Sequence, residues 1–234
     1  MQKEEKQEKN KEKKEKIAFK LSPTGLNLMQ DCERCFWLTQ HKIWKRPEGP
    51  FPSLPSGMDI ILKKHFDKFM EKGELPPELR EKTETKNLML YNNKENLKTW
   101  RNIFRGIQWR DKYGNIVRGA IDNVLWNPKT KHMIILDYKT RGFPLKEDTQ
   151  EHYRLQLDVY NFLFRKNGFR TEDFAYLLFY YPKEVKPTGE VVFETELKRL
   201  HIYTDNAWKA YRKALNILYG ECPKKTCDWC DGVK

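Results

Sequence analysis

A chain of 234 residues with 38% hydrophobic and 13% aromatic residues is long enough to close one domain around a real core. Its formal net charge is +12, and residues 1–16, with seven Lys and five Glu, carry little of that surplus; the basic body favours a polyanionic partner, nucleic acid ahead of membrane. No apolar run reaches the ~20 residues that span a bilayer and the N-terminus has no apolar signal core, which predicts a cytoplasmic protein with no membrane partner, whose five cysteines serve as metal ligands or free thiols rather than disulfides.

Residues 1–16 have almost nothing apolar and read as a disordered charged tail. Ser22-Pro23 opens a helix, with Ser as N-cap and Pro in the first turn. Leu26, Met29, Cys32, Phe36 and Trp37 follow at near-helical spacing, so Cys32 and Cys35 are expected on this same helix. Residues 45–55 form a Pro-rich loop. Ser56 is the expected cap of the next helix, where Met58, Ile61, Leu62, His65, Phe66, Phe69 and Met70 repeat at i, i+3, i+4 until Gly73 stops them. His65 is the only polar residue in that stripe: either a hydrogen-bonded core histidine or a group aimed at a metal.

A loop with a short helix covers 75–92, a helix Glu95 to Phe104, and a strand Gly106 to Arg110 that turns at Tyr113-Gly114-Asn115. The stretch Arg118 to Lys139 then reads as a hairpin broken at Asn127-Pro128, with Asp122 on its first strand and Asp137-Tyr138-Lys139 at the end of its second. Asp137 and Lys139 are two apart, so on a strand they share a face. Two carboxylates and a lysine at one end of a hairpin suit a divalent metal that activates water beside a phosphate, with a fixed positive charge next to it.

A long helix spans about Asp148 to Lys166, with Gln156 and Tyr160 one turn apart inside an apolar stripe. Strands follow from Phe174 to Tyr181 and from Val191 to Tyr203. Asp205 is the expected cap of a last helix, with Trp208, Tyr211, Ala214, Leu215 and Leu218 inward. The chain closes on Cys222, Cys227 and Cys230. Helices, strands, helix, strands: the order predicts an α/β domain on a mixed sheet flanked by helices.

In order along the chain stand His65 eight residues after Gly57, Gly119-x-x-Asp122, Asp137-x-Lys139, Gln156-x-x-x-Tyr160, and cysteines at both ends. The set resembles the RecB-like branch of the PD-(D/E)xK nuclease superfamily, nearest the small iron–sulfur CRISPR-associated exonuclease-like members and more distantly the AddB nuclease domain. The likeness covers about Leu21 to Cys230. It implies a single nuclease domain over 17–234, with a helical part about 22–104, a restriction-endonuclease-like core about 106–203, and a C-terminal helix and cysteine segment 205–234. It further implies that His65, Asp122, Asp137 and the Tyr138 carbonyl bind catalytic Mg²⁺ or Mn²⁺, that Lys139 positions or activates water, and that Gln156 and Tyr160 contact the DNA strand. Arg141 and Arg154 are further basic candidates for that strand. The absence of Pro before Asp122 is a small departure.

The cysteines depart more, since none follows Cys230. Two four-thiolate sets fit: Cys32, Cys35, Cys227 and Cys230, or Cys32, Cys222, Cys227 and Cys230. The paired C-x-x-C spacing favours the first but does not separate Zn²⁺ from an iron–sulfur cluster. The resemblance implies a 4Fe–4S cluster. The expected activity is that of a Mg²⁺- or Mn²⁺-dependent deoxyribonuclease, a single-stranded DNA exonuclease of repair, recombination or CRISPR-type processing, with a helicase or CRISPR integrase as partner. The alternative is a non-cleaving or partner-dependent nucleic-acid-binding adaptor on the same fold.

Overall fold

The computed structural model describes residues 17–233, so the charged tail expected at 1–16 lies outside the described residues. In chain order the elements are β1 (Lys20–Leu21), α1 (Pro23–Asp31), α2 (Glu33–Gln40), α3 (Ser53–Lys72), α4 (Pro77–Arg80), β2 (Met89–Leu90), α5 (Lys94–Trp100), β3 (Ile107–Arg110), β4 (Ile116–Gly119), β5 (Asn123–Asn127), β6 (His132–Thr140), a 3₁₀ turn (Thr149–Tyr153), α6 (Arg154–Lys166), β7 (Phe174–Val185), β8 (Val191–His201) and α7 (Thr204–Tyr219). The architecture is the expected mixed α/β one. A five-stranded sheet runs β2-β5-β6-β7-β8, and a three-stranded sheet runs β1-β4-β3.

Only β6 and β7 pair in parallel within the larger sheet. They form its centre, and their apolar runs Ile134-Ile135-Leu136 and Ala175 to Phe179 are buried on both faces, as parallel strands covered by helices must be. Helix α6 covers one face, with Leu157, Leu163 and Phe164 fully buried. Helix α3 also reaches the sheet, the Phe66 ring packing tilted against Tyr138 of β6 with centroids 4.6 Å apart. No helix among the described residues is long and apolar enough to cross a membrane.

Several local expectations shift. The hairpin is Asn123 to Thr140; Arg118 and Gly119 belong to β4 in the smaller sheet, and Asp122 sits in the bend between β4 and β5. Helix α3 starts at Ser53, so Ser56 lies inside it and bonds back to the Pro52 carbonyl at 2.9 Å. Helix α7 starts at Thr204 with Tyr203 as cap, and Asp205 falls in its first turn, where its charge suits the helix dipole. Trp208 is half-exposed, while Ala207, Tyr211, Ala214 and Leu218 face inward. The expected first helix is two. The chain breaks at Cys32, which is extended (φ −158°, ψ 114°) and caps α2 by accepting the Cys35 N–H on its sulfur. Ser22 caps α1 as expected, accepting from Gly25, and Gly73 ends α3 in the left-handed region.

Candidate active site and thiolate cluster

The pairing of β5 with β6 stops at Asn123 opposite Leu136, whereas β6 continues beside β7 to Thr140. The last residues of β6 therefore have one free edge, and the bend holding Asp122 lies against it. Asp122 Oδ2 accepts the Tyr138 N–H at 2.8 Å. A residue's N–H and C=O point to the same edge of a strand, so the Tyr138 carbonyl lies on the Asp122 side.

Asp137 and Lys139 share the face that α6 covers. The Lys139 Nζ stands 2.5 Å from Asp137 Oδ2 and donates to Gln156 Oε1 at 3.1 Å. The Gln156 amide donates to the Tyr160 hydroxyl at 2.7 Å and reaches Asp137 Oδ1 at 3.4 Å. Lys139 also lies 4.6 Å over the Tyr153 ring. The helical spacing of Gln156 and Tyr160 and the strand spacing of Asp137 and Lys139 thus meet as one network. Gly119 makes room for it: a Cβ there would fall 2.5 Å from the Tyr160 ring. Gly119-x-x-Asp122 therefore reads as a packing requirement followed by a carboxylate.

His65 is not in this network. It is half-buried on α3, its Nε2 3.1 Å from Glu78, which also accepts from the Tyr180 hydroxyl. The side of α3 that faces Asp122 carries Asp59 and Lys63. Lys63 Nζ is 2.7 Å from Asp59 and 3.0 Å from Asp122 Oδ1. His65 lies two residues beyond Lys63, about 200° round the helix, and so points elsewhere. Sequence reasoning missed Asp59 and Lys63; an acid four residues before a lysine looks like an ordinary solvated helix pair. Arg154 is likewise turned away, tied to Glu151 at 2.6 Å and to the His201 carbonyl at 2.8 Å. Arg141 follows the end of β6 and is half-buried. Arg101 braces the bend, donating to the Asp122 carbonyl at 2.7 Å and to both Asp67 oxygens.

The electrostatics are those of crowded acids. Burial pushes the Asp137 carboxyl up; Lys139 pulls it back and Asp122 pushes it up again. Burial and the neighbouring Asp122 carboxylate outweigh Lys63 at Asp59, which is also raised. The lysines go the other way: burial would lower Lys139, but Asp137 outweighs it and holds the ammonium charged, as Asp122 does for Lys63. Asp137 Oδ2 is buried, and its partner is the Lys139 ammonium at 2.5 Å. Asp122 neighbours both Asp59 and Asp137, and carboxylate oxygens are the ligands that hard divalent cations of the Mg²⁺ or Mn²⁺ kind take. Beside Asp122 and Asp137, a cleft of about 280 Å³ is lined by Arg105, Arg118, Gly119, Gln156 and Tyr160.

A second constellation joins the chain ends. The sulfurs of Cys32, Cys35, Cys227 and Cys230 all lie within 4.8 Å of one another. Cys222 stands outside this group, its sulfur accepting from Arg34 at 3.1 Å.

A pair of acids, a lysine and a Gln–Tyr brace on a helix thus meet at the free end of β6. The chain matches the family model described as "PD-(D/E)XK nuclease superfamily" over residues 20–232, and it belongs to that superfamily. The superfamily is one of metal-dependent nucleases, so the substrate is a nucleic acid. Comparison with curated proteins found no match. Among solved structures the chain is similar to one titled "Crystal structure of SSO0001", with 12% identity, a TM-score of 0.44, and coverage of 95% of this chain and 86% of that one.

Proposed function

We propose that this protein hydrolyses phosphodiester bonds in DNA, using Mg²⁺ or Mn²⁺, as an exonuclease on single strands. The convergence of Asp122, Asp137, Lys139, Gln156 and Tyr160 at the free end of β6 carries the reading. Support for a single strand comes from the adjoining cleft: about 280 Å³ lined by Arg105 and Arg118 suits one nucleotide.

Asp122, Asp137 and the Tyr138 carbonyl would hold the cation, and Asp59 takes the place on α3 that His65 does not reach. A divalent cation bound there supplies Lewis-acid polarisation of the phosphate and a bound water of lowered pKa. Lys139 acts as a donor: it orients the attacking water and meets the charge that grows on the phosphate. Gln156 fixes the lysine through its Oε1 and is itself fixed by Tyr160. The new P–O bond to water forms as the bond to the leaving sugar oxygen breaks; the attacking water gives up one proton to solvent, and the leaving oxygen takes one from solvent. Lys63 neutralises Asp59 and Asp122.

The test is a time course on end-labelled linear and closed circular single-stranded DNA in Mn²⁺ and in Mg²⁺. The linear strand should be consumed and the circle spared. Lys139→Ala and Asp59→Asn should each lose at least about 10²-fold, and His65→Ala should stay within a few-fold of the parent. Cleavage of the circle at a matching rate would make the protein an endonuclease with the same site. A protein that leaves both substrates intact in either metal would end the hydrolytic reading.

A further inference from the structure

We infer that the four-cysteine cluster binds one tetrahedral Zn²⁺ ion and not the iron–sulfur cluster that the resemblance implies. The argument is one of size. The sulfur separations are 3.5 Å for Cys35 to Cys227, 3.8 Å for Cys32 to Cys230 and 3.8 Å for Cys227 to Cys230. Four thiolates about 2.3 Å from one tetrahedral ion stand about 3.8 Å apart. In a cubane cluster each thiolate binds its own iron at a different corner, which drives the sulfurs well past the 4.8 Å that contains all four here. A two-iron cluster separates two pairs of thiolates by the width of its rhomb and meets the same objection.

The surroundings agree with a small closed site. Each C-x-x-C turns one backbone N–H onto a thiolate: Cys35 N–H to Cys32 Sγ at 3.4 Å, and Cys227 N–H to Cys230 Sγ at 3.3 Å. The extended backbone at Cys32 is what turns its thiol toward Cys230 rather than along the helix. Cys32, Cys35 and Cys230 are buried and Cys227 is half-buried, and four thiolates fill every position of a tetrahedral ion. Four thiolates around Zn²⁺ leave two negative charges. Arg46, 3.9 Å from Cys227 Sγ and seated 5.8 Å over the Trp229 ring, offsets part of them. Arg34 holds the last segment in place through the Pro223 and Val233 carbonyls. The ion is a clamp between residues up to 198 apart in sequence, and Cys222 is not one of its ligands.

The measurement is elemental analysis and acid-labile sulfide on the full chain, grown with iron and zinc both supplied and purified without oxygen. The expected result is about one zinc per chain, no sulfide and no visible absorption. Cobalt exchanged into the site should give the intense ligand-field bands of tetrahedral thiolate coordination. Cys222→Ser should keep both the zinc and the cobalt spectrum. Iron with sulfide in the oxygen-free protein would overturn the inference, as would stoichiometric iron without sulfide or a metal-free chain with the four cysteines paired as disulfides. Loss of zinc from Cys222→Ser would overturn the ligand set.

Discussion

Gly119 has the smallest side chain in the site and the strictest steric demand. Its Cβ-less backbone lets the Tyr160 ring close on β4, and a methyl there would sit 2.5 and 2.8 Å from two ring carbons. Backbone on one side and a buried helix on the other leave the ring little room to yield. Gly119→Ala should therefore cost about 1–3 kcal/mol of stability and, by tilting Tyr160, release Gln156 from Lys139. Cleavage should fall at least about ten-fold in a protein that remains folded at assay temperature. Tyr160→Phe keeps the ring and removes only the hydroxyl, so it should melt close to the parent and still lose rate. A Gly119→Ala protein with the parent's rate would show that the Gln156–Tyr160 brace does not position the lysine. At this scale the sequence is readable where a period fixes direction. Asp137 and Lys139 share a strand face and Gln156 and Tyr160 a helix face, so their meeting follows from spacing alone. His65 misled because Ile61, counted in the apolar stripe on α3, is exposed, and the core contacts of the stripe narrow to Leu62, Phe66 and Met70, with Phe69 partly buried beside them. Periodicity then assigned the inward face to His65, when Asp59 and Lys63 reach the carboxylates.

Between elements, the turn from β3 to β4 is held by one acid. Asp111 accepts from the Tyr113 and Asn115 N–H groups at 2.8 Å each, from the Asn115 amide at 3.0 Å and from the Tyr211 hydroxyl of α7 at 2.5 Å. Burial alone would raise its carboxyl, but these donors outweigh burial and hold it below the usual range. A depressed acid stabilises the fold above its unfolded pKa of about 3.9, and that stabilisation disappears as pH falls through the lower folded value. Asp111→Ala should lose about 1–2 kcal/mol near neutral pH. In denaturant titrations the gap between parent and variant should narrow toward about pH 3. A gap that is the same at both pH values would mean that Asp111 contributes packing and not charge. The Tyr113-Gly114-Asn115 turn was legible from its residues; the link to Tyr211, 100 residues away, was not. The break at Cys32 was equally hidden. No Gly or Pro marks it, because the demand comes from Cys230 and Cys227 at the other end of the chain rather than from local propensity.

Over the whole molecule the question is where the positive surplus acts. The chain carries 45 Lys and Arg against 33 Asp and Glu. The cations at the two sites are already committed: Lys63 and Lys139 to carboxylates, Arg101 to Asp67, Arg46 to thiolates. Strand attraction must come from uncommitted basic groups, and Arg105 is the one that is exposed and lines the cleft next to Gln156 and Tyr160. Composition announced the polyanionic partner, but not the path, because a count of charges carries no address. Binding of a short single strand to the Lys139→Ala protein should weaken steeply with salt, the logarithm of affinity falling by about 0.7 per phosphate neutralised for each unit of log salt. Arg105→Ala in that background should lower affinity at every sequence tested and reduce the slope by about one contact. Arg154→Ala should leave the slope unchanged, since its guanidinium is bound to Glu151 and the His201 carbonyl. If Arg154 changes the slope and Arg105 does not, the strand runs along the α6–α7 side of the molecule, and the cleft beside Gly119 is not its path.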